Sequence, residues 1–150
     1  MAGKKVAEQI LGIVAQYMKD LSFENVISYA KMEQSEQSPQ IDVQLKVNVE
    51  KGAEPNRYIV ALVTNIQAKV KDPLFIMDLT YVGDFVIEGF PQEMIDPILY
   101  VECPRLLFPF ARSIIASCVS EGGFPPLYLA PVNFAELYQQ QLESKNQTIQ

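Results

Sequence analysis

A chain of 150 residues, 49% of them hydrophobic, is long enough for one domain with a buried core and too short for two. Its formal net charge of −6 argues against nucleic-acid backbone or an anionic membrane surface as a partner, because both demand clustered Lys and Arg. It contains no histidine, which removes histidine general bases, Ser-His-Asp and Cys-His nucleophile systems and nearly all zinc ligand sets.

Residues 1–16 begin basic and continue apolar, but Glu8, Gln9 and Gln16 interrupt the apolar region. The segment therefore reads as a flexible or helical arm and not as a signal peptide. No run approaches the roughly 20 apolar residues needed to span a bilayer. The first strand is short, Lys19 to Glu24, with Leu21 and Phe23 on one side and Asp20, Ser22 and Glu24 on the other. Glu, Gln and Ser dominate Tyr29 to Pro39, where a mobile loop is expected. Ile41, Val43, Leu45, Val47 and Val49 then alternate unbroken with polar residues, the clearest signal of a half-buried strand in the chain.

After a turn at Gly52 to Asn56, a strand runs from about Arg57 to Lys71, with Tyr58, Val60, Leu62, Ile66, Ala68 and Val70 on its apolar side. Ile59, Ala61 and Val63 make one end of it apolar on both faces. Beyond Asp72-Pro73, Leu74 to Gly89 alternates again: Phe75, Met77, Leu79, Tyr81, Phe85 and Ile87 face one way, Ile76, Asp78, Thr80, Val82 and Asp84 the other. Strands with short connections followed by helices predict an α+β fold, a four-stranded antiparallel meander followed by two helices packed on one face.

In the first of these helices Leu107, Phe110, Ala111, Ile114, Ile115, Cys118 and Val119 form one apolar stripe. Pro104 suits a first turn, and Pro109 bends the helix or marks where its regular part begins. The face of Ser113, Ala116, Ser117 and Ser120 is small and uncharged. It reads either as the seat of a second helix, from another subunit, or as an ordinary surface. Gly122 and Gly123 end the helix with positive φ, and Pro125, Pro126 and Pro131 keep the following segment extended. Phe124, Leu127, Leu129 and Val132 lay that crossing against the body of the domain. Asn133 and Glu136 form a capping-box pattern for a last helix carrying Phe134, Leu137, Tyr138 and Leu142. One domain over residues 17–142 and a polar tail over 143–150 complete the division. Cys103 and Cys118 read as small buried side chains.

The strings CPRLLFPFAR (Cys103 to Arg112) and GGFPPLYLAPVNF (Gly122 to Phe134), with KDLSFE (Lys19 to Glu24), resemble the bacterial protein-export chaperone family SecB. The resemblance covers Tyr17 to Tyr138. It implies a homotetramer, a dimer of dimers with long helices between two eight-stranded sheets, in which the small face of Ser113, Ala116, Ser117 and Ser120 finds its partner. It further implies a cytoplasmic holdase, not an enzyme, that keeps secretory precursors unfolded and delivers them to the motor SecA without ATP or a cofactor. A protein that binds many sequences needs exposed apolar surface and some backbone pairing. The candidate client groove is Ile41, Val43, Phe75, Phe110, Leu127, Leu129 and Tyr138. Gln37 stands where relatives often carry Trp. Asp20, Glu24 and Asp78, with Ile76 beside them, match the positions that engage SecA. Two other readings remain open from the residues alone. One is a carrier of a small apolar lipid or acyl ligand; the other is an enzyme using Asp84 and Glu88, which share a strand face.

Overall fold

The computed structural model describes residues 8–27, 31 and 38–149. Expectations for residues 1–7, for Gln37 and for most of the loop from Tyr29 to Pro39 lie outside the described residues. Four strands, β1 (Ile10–Asn25), β2 (Gln40–Lys51), β3 (Arg57–Lys69) and β4 (Pro73–Glu88), form one antiparallel sheet. Its spatial order is β1-β4-β3-β2, so β1 lies beside β4 and not beside β2. The expected simple meander is thus a three-strand meander closed by a long return, a Greek-key order. Both outer strands, β1 and β2, are edges.

Strand β1 corrects the boundary of the arm. Residues 10–13, 15 and 16 are paired to β4, and the strand is 16 residues long. Its register shifts between Ile13 and Ala15 and again between Met18 and Asp20. Each bulge inserts a residue and resets the alternation, so a continuous strand carries a sequence with no continuous period of two.

The core lies between one sheet face and the helices. Val60, Leu62, Ile66 and Ala68 of β3 meet Phe75, Met77, Leu79, Phe85 and Ile87 of β4 there. Over them runs helix α2 (Cys103–Glu121), which buries Leu107, Ala111, Ile115 and Val119, the i, i+4, i+8, i+12 positions of the stripe. Gly83 permits this close approach, since a Cβ there would stand 2.9 Å from the Leu107 side chain. Before α2 come a short helix α1 (Gln92–Pro97), which the sequence reading leaves unassigned, and a π-helical turn, Ile98–Glu102. Pro109 is accommodated inside α2. Only Gly123 of the glycine pair takes positive φ, at 94°; Gly122 is helical at −77°.

The crossing 124–133 runs back along α2, pinned where the Arg112 guanidinium donates to the Leu129 carbonyl at 2.9 Å. Helix α3 (Phe134–Ile149) starts where the Asn133 side chain accepts from the Glu136 N–H at 3.1 Å, the cap expected there. It continues through residues 143–149, where composition predicts a polar tail. Polar composition hides a helix whose solvated face is most of its circumference.

Candidate functional site

Three surfaces hold the residues singled out from sequence. The first lies along the edge strand β2. Ile41 and Val43 point to the helix side of the sheet yet are each 38% exposed. An open groove of about 1120 Å³ runs along the strand from Val43 to Glu50, between β2 and α3, with Tyr100 and Leu137 on its helical wall. Tyr138 stacks on Tyr100 with ring centroids 5.0 Å apart, and burial, then the nearby Asp96 and Tyr100, raises its hydroxyl above the ordinary range. Gln141 reaches across the groove and hydrogen-bonds both backbone groups of Val47. Nothing in the sequence marks that contact, since a polar residue on a polar helix has many possible fates.

Two residues assigned to the groove belong to the core. Phe75 is 3% exposed, stacked on Phe23 (5.3 Å) and in tilted contact with Phe124 (4.9 Å). Leu129 is 7% exposed, turned inward by the bond from Arg112 to its carbonyl. Strand and crossing periodicities name the face of each side chain, but not that Phe23 and Phe124 close over it. Phe110 is exposed and stacks on Tyr81 at 6.2 Å, a residue of β4 whose row continues to Met18 of β1. It therefore lies towards the β1 edge, away from Ile41 and Val43 at the β2 edge. Leu127 is half-buried against the core.

The second surface is the outer face of the sheet. The register pairs Glu24 with Ile76, Ser22 with Asp78 and Asp20 with Thr80. The bulge at Lys19 leaves Asp20, Ser22 and Glu24 on one face, and antiparallel pairing puts Ile76 and Asp78 on that same face. The four residues named from sequence are brought together. Asp78 is held by Ser22 at 3.4 Å and by Asn65 from the β3 side. Further along, Ile59, Ala61, Val63 and Val82 floor a hollow of about 590 Å³ that strand residues alone enclose. Asp84, beyond it, is not a free carboxylate: Arg57 donates to both its oxygens at 3.1 and 2.9 Å, and Glu88 accepts from Asn56. Both acids of that pair are engaged by neighbouring side chains.

The third surface is a trough of about 350 Å³ between α2 and the crossing. Ser113, Ser117 and Ser120 are exposed along it and Ala116, 5% exposed, is its floor. Arg112 and Tyr128 form one wall, the guanidinium 4.9 Å from the ring centroid. Among the described residues no helix is long and apolar enough to cross a membrane.

The family model described as preprotein translocase subunit SecB matches residues 4–145. This chain belongs to the SecB family. It is 48% identical over 145 residues to the protein-export protein SecB of Rhodopseudomonas palustris strain BisB5, covering 95% of this chain and 90% of that one. To the SecB of Bartonella quintana it is 42% identical over 146 residues, covering 95% and 92%. A SecB-like chaperone of Mycobacterium tuberculosis, solved in complex with a peptide from an antitoxin, shares the fold. Its TM-score is 0.68 at 13% identity, over 81% of this chain and 90% of that one. The SecB α+β architecture is thus the architecture found here. The space between sheet and helix, where a carrier would enclose its ligand, is filled by Phe85, Leu107 and Ile115, all fully buried.

Proposed function

We propose that this SecB-family chain is an export holdase that keeps unfolded secretory precursors from aggregating and passes them to SecA in the cytoplasm, without ATP or a cofactor. The observation that carries the reading is the β2 edge. There Ile41 and Val43, each 38% exposed, adjoin an open groove of about 1120 Å³ between the strand and α3. An edge of that kind takes extended chain by main-chain pairing and side-chain burial, which is tolerant of sequence. Leu127 and Tyr138 extend the apolar surface; Phe110 serves a separate part of it.

The acidic outer face of Asp20, Glu24 and Asp78, with Ile76 exposed beside them, fits a basic partner with an apolar contact, and we assign it to SecA. Assembly into a homotetramer is supported by two features. Edge strand β1 exposes Ile10, Ile13, Val14, Tyr17, Met18 and Leu21, more large apolar surface than an unpaired edge of a soluble monomer carries. The small-residue trough on α2 permits a close helix–helix approach. The test is light scattering during dilution of an unfolded precursor. Near-stoichiometric chain should suppress aggregation equally with and without ATP. Aggregation unaffected by the chain would contradict the proposal.

A further inference from the structure

Because β2 is an edge strand, every second residue turns its N–H and C=O away from β3 and towards the groove. The β2–β3 ladder runs from Gln40 to Lys51 without a register shift. Val47 is one of the outward residues: its N–H donates to Gln141 Oε1 at 3.1 Å and its carbonyl accepts from Gln141 Nε2 at 3.3 Å. Alternation then places the backbone groups of Val43, Leu45 and Val49 on the same edge. A glutamine side chain ends in a primary amide, with the acceptor and donors of a peptide group. One bond given and one received at a single residue is the pattern by which an antiparallel neighbour engages a strand. Gln141 therefore holds the place that the N–H and C=O of one residue of an added antiparallel strand would take.

We propose that Gln141 is a removable cap on the β2 edge, displaced when an extended segment of unfolded client pairs with β2. This rests on the holding activity proposed above and names the backbone site at which it acts. The amide seated on Val47 shows which chemistry the edge accepts, and the groove beside it runs from Val43 to Glu50. An added strand makes two bonds at each of Val43, Leu45, Val47 and Val49, against the single pair that Gln141 supplies. Exchange therefore favours extended chain and disfavours any ligand that offers no run of backbone donors. In the empty protein the cap satisfies Val47 at the centre of the edge, which also hinders edge-to-edge pairing between copies.

The experiment uses the full chain, an extended 15-residue apolar peptide, and the same peptide N-methylated at every second residue. Gln141→Met keeps the side-chain length and removes both bonds. It should bind the plain peptide about 5- to 30-fold more tightly than wild type, the value of two displaced amide bonds, and show no such gain for the N-methylated one. Plain and N-methylated peptides gaining alike, or neither gaining, would overturn the cap. Should Gln141→Met fold poorly, the wild type still decides the matter by NMR. On saturation with peptide the Gln141 side-chain amide resonances should move to solvent-exposed positions while the Val47 N–H stays protected from exchange. Resonances that do not move would overturn the proposal. Wild type that binds neither peptide nor any unfolded precursor would instead overturn the holding activity itself.

Discussion

Replacing Phe75 by Ala separates a core residue from a client contact. The ring is 3% exposed and packs against Phe23 and Phe124 with centroids 5.3 and 4.9 Å away. Truncating a buried phenylalanine costs about 3–5 kcal/mol in transfer and cavity terms, and the two aromatic pairs place this site towards the upper end. For a chain of about 150 residues each kcal/mol lowers Tm by roughly 2–4 °C, so a fall of roughly 6–20 °C is expected. The control is Ile41→Ser, at a side chain 38% exposed. It should change stability by no more than about 0.5 kcal/mol while weakening retention of an unfolded precursor. Calorimetry at one fixed protein concentration, which holds the contribution of assembly constant, measures both. A Tm within about 2 °C of wild type for Phe75→Ala, together with lost precursor retention, would return Phe75 to the groove and refute the reasoning.

Changing Asp20 and Glu24 together to Lys should weaken SecA binding and flatten its salt dependence, because the attraction is Coulombic and screened over about 8 Å at physiological ionic strength; unaltered binding at low salt would remove the patch from that role. Ser117→Arg in the α2 trough should shift the proposed tetramer towards a smaller species in light scattering, overpacking alone costing about 1–3 kcal/mol, and no shift would exclude that face from the interface. Burial, then the charge of Glu102, pushes the Cys103 thiol up to about 12. The unfolded chain therefore releases this proton first, so the stability that Cys103 contributes is intact below about pH 9 and lost as pH rises towards 12. The stability advantage of wild type over Cys103→Ala, from urea midpoints, should accordingly shrink by roughly 2 kcal/mol between pH 9 and 10.5. A constant difference would contradict it.

Strands with unbroken alternation were legible: Ile41 to Val49 and Phe75 to Ile87 announce both their extent and their inward faces. Strand β1 was half hidden because the bulges at Val14 and Lys19 break the period that identifies a strand. The acidic outer face followed from parity within β1 and β4, although the pairing of those two strands is a property of topology that periodicity does not carry. What lies over a face is likewise tertiary. Phe75 and Ile41 have the same alternating signature, yet two aromatic rings close over one and nothing among the described residues covers the other to that degree. Gln141 was invisible for a related reason, since its partner is a backbone amide 94 residues away.

The most direct test of the account is the affinity of this chain for one precursor in three forms: a short segment, the full unfolded chain, and the folded protein. Burying four or five large apolar side chains contributes roughly 10 kcal/mol gross, offset by about 4 kcal/mol or more for ordering and association. A single segment should therefore bind with Kd on the order of 10 μM or weaker. Several grooves of one assembly engaged by one long unfolded chain should tighten this about 100-fold, while the folded protein should not bind measurably. Equal affinity for folded and unfolded precursor, or stoichiometric binding of one small apolar ligand in place of both, would contradict the account.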